Sequence, residues 1–512
     1  MQKFLRLNQS QNRWLYYLLF LTLGILLTLS FYPVSIFPFW LILGVFSLLI
    51  RNCQNNKDLF LFGAFFGYGY FLIHLYWIPF SIYKVPLGLS WLVPILSAII
   101  PIPFALLTGF FTILTKIGRR NGVIFSFNFA FLWVIFEYLR SNIFFPFSIG
   151  LLGYSSTSLP FFAQTLSLFG AYGAGLLITL FSTSIFSGNR KYIAFNVVAF
   201  LIICAWGMMR ISTHEVTDGD DDIHIRLVQP NAQQHHFGDQ KKQEAALNDL
   251  SRLTLSPNFD KQHYIFWPEA AFPYPIHKNW LDMMQHFVPP NQNAALIFGA
   301  DRVEYNDLNE RLDFNSLVAV AKNSMALDYY DKRVLVPFGE YVPYRNTIYF
   351  IEKIAHSAGI GDIVKGKKNN VVDLGNGVKI LPLICSESIA DKNRLKILNY
   401  KEYRFILNAT NDFWFGKSLG PYQHFNISVV RAIEYGLPMI RVANTGVSGV
   451  VDVFGNVIKI SKLDVEYIID VILPPKLKAA TLFYQIDDFI MPAIVVFYII
   501  FILYLYVSRR RT

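Results

Sequence analysis

Hydrophobic residues run in long unbroken stretches at both ends of the chain and in short, interrupted runs through its middle. Eight stretches approach or exceed the ~20 helical residues that cross a bilayer. They are Trp14 to Phe31, Val34 to Ile50, Leu59 to Ile78, Trp91 to Leu114, Val123 to Tyr138, Phe161 to Phe186, Tyr192 to Met209 and Phe489 to Val507. The second and fifth are short for a span, so their ends are expected to extend into the flanking turns. From about Asp222 to Leu473 the pattern changes. IHIRLVQPN, HYIFWPE, AALIFGADRV, SLVAVAK, SMALDYY, VKILPLICSES, YRFILNATND, PMIRVANTG and SGVVDVFGNVIKI read as strands, and QKKQEAALNDLSRLTL, IADKNRLKILNY and QHFNISVVRAIEYG as helices. That close alternation predicts an α/β domain with layered sheets. The expected organisation is a polytopic α-helical membrane protein with an inserted α/β domain. Residues 1–211 form a membrane domain of seven transmembrane helices, 222–473 the inserted domain, and 487–512 a last transmembrane helix with a basic tail.

Composition agrees with this organisation. With 512 residues, 54% hydrophobic and 16% charged, the chain is neither wholly soluble nor disordered. The formal charge of +10 lies largely in short clusters beside apolar segments, where Lys and Arg orient helices, so nucleic acid is not the expected partner. One set of helix ends collects Lys3, Arg6, Arg13, Arg51, Lys57, Lys116, Arg119, Arg120, Arg190, Lys191, Arg509, Arg510 and Arg511; the other has Lys84, Arg140, Arg210, Lys476 and Lys478. Basic residues resist translocation, which predicts cytoplasmic termini and an extracytoplasmic inserted domain. The first apolar run lacks a small-residue cleavage site and is followed by further spans, so an uncleaved anchor is expected.

Three residues in the inserted domain carry candidate chemistry. Cys385 closes ILPLI and opens SES; with Cys53 expected in a cytoplasmic loop and Cys204 in a span, it has no disulfide partner in its compartment. Taken alone, a free cysteine is more often a small buried core residue than a nucleophile. Glu269 follows the apolar run HYIFWP, where desolvation would raise its pKa toward that of a general base; an exposed turn glutamate fits the segment equally well. Lys332, in YYDKRVLV, could stabilise an oxyanion, or pair with Arg333 as an ordinary basic surface. Glu340 and Glu387 are further carboxylates able to orient Lys332 or substrate. His235 and His236 lack ligand spacing, and GADRV and GNGVK are not phosphate loops, so neither metal nor cofactor is expected. NDFWFG places aromatic side chains in a loop, where core packing and partial immersion in lipid compete.

WPEAAFP, YYDKRVLVPFGEYVP, ICSES, LNATNDFWFG, PYQH, RAIEYG and RVANTGVSG, in this order, resemble the apolipoprotein N-acyltransferases, whose outer domain belongs to the nitrilase (carbon-nitrogen hydrolase) superfamily. The resemblance extends to FEYLRSNIFFPFSIGLLGYSS and the Gln164 region, and so covers most of the chain. It implies a nitrilase-like four-layer α-β-β-α sandwich and a Glu269–Lys332–Cys385 triad, with Glu340 and Glu387 at supporting positions. Phe237, Ser386 and Phe147 depart from residues frequent in the family, which leaves substrate positioning open at Phe237. Phe338, Tyr341, Phe413 and Trp414 are candidates for a lipid-facing rim.

The implied activity is transfer of an acyl chain from a glycerophospholipid, through a cysteine thioester, to the α-amine of a diacylglyceryl apolipoprotein. The setting implied is a monomer in the bacterial inner membrane with a periplasmic active site. A membrane-tethered nitrilase-like amidase would use the same three residues and release its acyl group to water.

Overall fold

The computed structural model describes residues 13–84, 88–142, 147–217, 223–232, 239–276, 283–291, 294–322, 328–337, 339–343, 362–368, 370–375, 377–390, 397 and 399–511. The chain divides into two compact units. One comprises Met1–Pro79, Trp91–His214 and Thr481–Thr512; the other comprises Phe80–Ser90 and Glu215–Ala480.

The first unit is helical. Among the described residues seven helices are long and apolar enough to cross a bilayer: Arg13–Ser30, Asn56–Lys84, Leu92–Leu114, Gly122–Asn142, Leu166–Ile185, Arg190–Thr213 and Leu482–Val507. The expected fifth span does extend, to 21 residues ending at Asn142. The second does not: a 3-10 turn, Phe37–Trp40, runs into an 11-residue helix, Leu41–Arg51, shorter than a bilayer requires. Pro101 interrupts the fourth run between Leu92–Ile99 and Ile102–Leu114, because proline offers no amide hydrogen to continue the ladder.

Small residues let these helices approach closely. A Cβ added to Gly63 would lie 2.4 Å from Thr112 Oγ1, one on Gly67 2.5 Å from Thr108 Oγ1, and one on Gly24 2.0 Å from the Phe66 carbonyl oxygen. Without water to drive association, such close contact is what holds apolar helices together.

The second unit is a sandwich of two six-stranded sheets, ordered β12-β1-β2-β3-β4-β5 and β11-β10-β9-β8-β7-β6. The first contains β1 (His224–Gln229), β2 (Tyr264–Phe266), β3 (Ala295–Tyr305), β4 (Arg311–Ala321), β5 (Asp328–Asp331) and β12 (Tyr467–Ile472). The second contains β6 (Val372–Asp373), β7 (Lys379–Ile384), β8 (Phe405–Thr410), β9 (Met439–Ala443), β10 (Gly449–Val451) and β11 (Val457–Ile460). Parallel pairs form the centre of each sheet, β1-β2-β3 and β7-β8-β9, with antiparallel strands outside.

Alternation along the strands builds the layers. Leu227, Phe266, Ile297, Leu317, Ile380, Phe405, Leu407 and Ile440 meet between the sheets. Their neighbours Val228, Ile265, Leu296 and Phe298 face outward, onto Leu250 and Leu253 of the helix Gln240–Thr254. Asp239 caps that helix by accepting from the Lys242 amide. Outside the second sheet lies the helix Gly420–Tyr435, ended by Gly436 at φ 68°. The unit is therefore a nitrilase-like four-layer sandwich, as the resemblance implied. In the segment SMALDYY the described residues, from Asp328 on, form a strand; those before it lie outside the described set, as does most of IADKNRLKILNY.

Candidate active site

Parallel strands aim their C-terminal ends the same way, and the turns after three such strands, together with the turn after the antiparallel strand β5, build the site. Glu269 follows β2, Lys332 follows β5, Cys385 follows β7 and Asn411 follows β8. Two of these turns use unusual backbone. Cys385 has φ 51° and Ala270, directly after Glu269, has φ 47°, a left-handed region that non-glycine residues rarely occupy. Gly299 makes room for the Glu269 turn: a Cβ there would lie 2.6 Å from Glu269 Cα and 2.3 Å from the Pro268 oxygen.

The side chains then converge. Lys332 Nζ donates to Glu340 Oε1 at 2.8 Å and stands 3.5 Å from Glu269 Oε1. Asn315, on β4, donates from Nδ2 to both carboxylates, at 2.8 Å to Glu269 and 3.0 Å to Glu340. The other oxygen of Glu269 accepts the Asn411 amide at 2.8 Å, and that of Glu340 the Val336 amide at 2.8 Å. Glu269, Lys332 and Glu340 are all buried, Lys332 at 1% exposure, which excludes the basic-surface reading of Lys332 and Arg333. Cys385 is partly buried.

Desolvation and neighbouring charges set the protonation states. Burial pushes the Glu269 carboxyl up, only partly offset by the Lys332 ammonium and by hydrogen bonds from Asn315 and the Cys385 thiol. Burial would lower Lys332, but Glu340 and Glu269 outweigh it and hold the ammonium well above the usual lysine range. Burial and the Glu269 charge push the Cys385 thiol up to about 12, against the pull of Lys332. At rest the site holds a thiol beside a carboxyl able to take its proton, with a fixed cation next to both.

Glu387 does not join this group. It lies beneath, fully buried, accepting from Tyr330 Oη at 2.8 Å, from the amides of Arg333 at 2.7 Å and Val334 at 3.1 Å, and from the Ile384 amide at 2.8 Å. Its carboxylate thus ties the end of β5 to the end of β7. Trp414 sits on the turn Asp412–Phe415 and packs edge-on against Phe413 at 5.9 Å. Lys84 stacks 4.3 Å over the same Phe413 ring. Phe237, His235, His236 and Phe338 lie outside the described residues. Among the described residues no cluster of three His, Cys, Asp or Glu side chains is arranged to hold a metal.

Asn315 carried one signal in the sequence that was not used, an amide beside Ser316 in the mostly apolar run FNSLVAV. Nor did the sequence assign a role to Thr410, Asp412, His424 and Arg441. These surround the back of Cys385: Arg441 Nη2 donates to Asp412 Oδ2 at 2.8 Å, and His424 Nδ1 lies 2.9 Å from Asp412 Oδ1.

An apolipoprotein N-acyltransferase of Rickettsia prowazekii is 34% identical over 494 residues, covering 94% of this chain and 96% of that one. The chain belongs to the apolipoprotein N-acyltransferase family. The model of the apolipoprotein N-acyltransferase N-terminal domain matches residues 23–184, and that of carbon-nitrogen hydrolases residues 232–475. A second apolipoprotein N-acyltransferase, from Rhodopseudomonas palustris, is 30% identical over 87% of this chain and 85% of its own. The crystal structure of a carbon-nitrogen hydrolase from Helicobacter pylori aligns with a TM-score of 0.35 at 15% identity, covering 49% of this chain and 88% of that one. As an apolipoprotein N-acyltransferase family member, the chain is a multi-pass membrane enzyme with a nitrilase-like polar domain.

Proposed function

We propose that this enzyme moves an acyl chain from a glycerophospholipid onto Cys385 as a thioester, and then to the α-amine of the diacylglyceryl N-terminal cysteine of an apolipoprotein. The observation that carries the reading is the convergence of Glu269, Lys332 and Cys385 at strand ends drawn from both sheets. Glu269 takes the Sγ proton as the sulfur attacks the ester carbonyl. The Lys332 ammonium, which Glu340 and Asn315 keep in place, offsets the charge developing on the carbonyl oxygen. Glu269 then returns its proton to the departing lysophospholipid alkoxide. In the second half the amine attacks the thioester, Glu269 accepts an amine proton, and the sulfur leaves to recover it.

Both substrates keep their acyl chains in the bilayer. Exposing those chains to water would cost ~0.8 kcal/mol per CH₂, which supports placing the chemistry on a membrane-anchored domain. In this reading the membrane segments 1–211 and 487–512 deliver lipid to a catalytic domain spanning 222–473, on the periplasmic side of the inner membrane with both termini cytoplasmic. The enzyme acts as a monomer without cofactor. Glu387 supports the two strand ends, and Trp414 and Phe237 contribute to substrate positioning.

The test is intact-mass analysis of purified protein incubated with phospholipid, looking for an acyl adduct that hydroxylamine removes. The wild type should carry it and Cys385→Ala should not; no adduct on the wild type, or an undiminished one on the variant, defeats the proposal. The match of residues 232–475 to carbon-nitrogen hydrolases favours one second reading, an amidase tethered to the membrane. Free fatty acid or a small carboxylate as the main product, in place of an acylated amine, would select it.

A further inference from the structure

Cys385 and Thr410 are neighbours by strand register. β7 runs parallel to β8 with Ile384 opposite Ala409, so Cys385, the residue after β7, follows beside Thr410, the last residue of β8. Thr410 is fully buried, and its hydroxyl lies 3.2 Å from Asp412 Oδ1. The same side chain also bears on the Cys385 thiol, whose pKa it draws down against the larger effect of burial.

Asp412 is held independently of Thr410. Arg441 and His424 contact its two oxygens and keep the carboxyl below the usual range although burial opposes this. His424 also reaches back toward the nucleophile, with Nε2 3.2 Å from the Cys385 carbonyl oxygen and 2.9 Å from Ser388 Oγ. The contacts therefore form a closed ring: sulfur, Thr410, Asp412, His424, and the carbonyl of the same cysteine.

A hydroxyl has one hydrogen to donate, and here two acceptors compete for it. While Cys385 is a neutral thiol, the Asp412 carboxylate is the stronger acceptor. Once the sulfur is an anion both acceptors are charged, and the thiolate is the more in need of a donor, because Arg441 and His424 already satisfy the two oxygens of Asp412. Asp412 can release Thr410 without stranding its own charge, since Arg441 and His424 remain on it.

We infer that the Thr410 hydroxyl is a switchable donor, bonded to Asp412 while Cys385 is protonated and turned onto the sulfur when Glu269 takes the proton. The switch is a rotation about the Thr410 Cβ–Oγ bond. No proton, electron or atom changes owner in it. The inference rests on the proposed role of Cys385 as nucleophile and adds a donor to that role. Thr410 thereby becomes a catalytic residue touching the reacting sulfur, with Asp412, Arg441 and His424 as positioning residues behind it.

The test uses the full-length protein in a Cys53→Ser, Cys204→Ser background. Iodoacetamide labelling of Cys385 is followed by peptide mass across pH, beside single-turnover acylation from mixed micelles of phosphatidylglycerol and phosphatidylethanolamine. Glu269, Lys332 and Asp412 also act on this sulfur and stay in place throughout. Thr410→Val should cut the labelling rate about tenfold at every pH between about 7 and 9 and slow acylation about tenfold, with half-saturating lipid unchanged. Thr410→Ser should restore both.

A Thr410→Val protein with the wild-type profile and rate overturns the inference. Should that variant fail to unfold cooperatively, Thr410→Ala against Thr410→Ser provides the same contrast, and equal behaviour of the pair is the overturning result. An adduct persisting on Cys385→Ala would instead defeat the thioester reading beneath it.

Discussion

Lys332 Nζ stands closer to Glu340 Oε1, at 2.8 Å, than to Glu269 Oε1, at 3.5 Å. The closer ion pair thus belongs to Glu340, and Glu269, the base of the proposed mechanism, is held the more loosely of the two. Glu340→Gln would leave the ammonium to Glu269 alone and draw that base toward the lysine. We expect acylation to slow about 10²-fold and stability to fall by about 3 kcal/mol, as for other broken buried ion pairs. Single-turnover rates and thermal unfolding in detergent check both; an unchanged rate would remove Glu340 from the site.

The pH dependence follows from the direction of three shifts. Glu269 is raised above 4.5, so its base form appears only as pH climbs through that elevated value. Cys385 stays a thiol up to about 12, and Lys332, raised above 10.5, stays an ammonium. Acylation should therefore rise with pH from above 4.5 to a plateau, with no descending limb below 10.5. Stability runs the other way: a carboxyl that binds its proton more tightly when folded loses stability as pH rises from 4.5 through its folded pKa. Glu269→Gln should lack both that loss and the rise in rate. A rate flat from pH 4 to 8 would contradict the assignment of the base.

Arg441 should matter to folding before chemistry. It is fully buried against Asp412, which would otherwise keep a buried charge beside His424, a ring whose pKa burial draws down. Arg441→Met is expected to destabilise the polar unit by about 3–5 kcal/mol. Asp412, held below 3.8, contributes stability that is present above that value and lost as pH falls through its folded pKa. Without Arg441 the acid-side loss should begin at higher pH, which unfolding measured between pH 3 and 6 will read.

Much of this was legible in the chain because its signals are local. Apolar runs marked the spans, and Glu269, Lys332 and Cys385 stand where apolar strands give way to polar residues. The exceptions have physical reasons. Val34 to Ile50 is apolar enough for a span, yet its helix begins only after the 3-10 turn at Phe37–Trp40. Lys332 and Arg333 look like a surface pair because their own segment does not show that they are buried, with Glu340 on the ammonium and Glu387 on the Arg333 amide. Asn315, Thr410 and His424 acquire meaning only through register, which places residues far apart in the chain on one carboxylate or one sulfur. Periodicity reports which face a residue occupies, not whom it meets there.

Glu387 has a geometric implication that reaches past its own contacts. One of its oxygens grips the stretch bearing Lys332 and the other the stretch bearing Cys385, and these arise from opposite halves of the sandwich. The gap between cation and sulfur is thereby gauged from below, by a side chain that substrate has no need to touch.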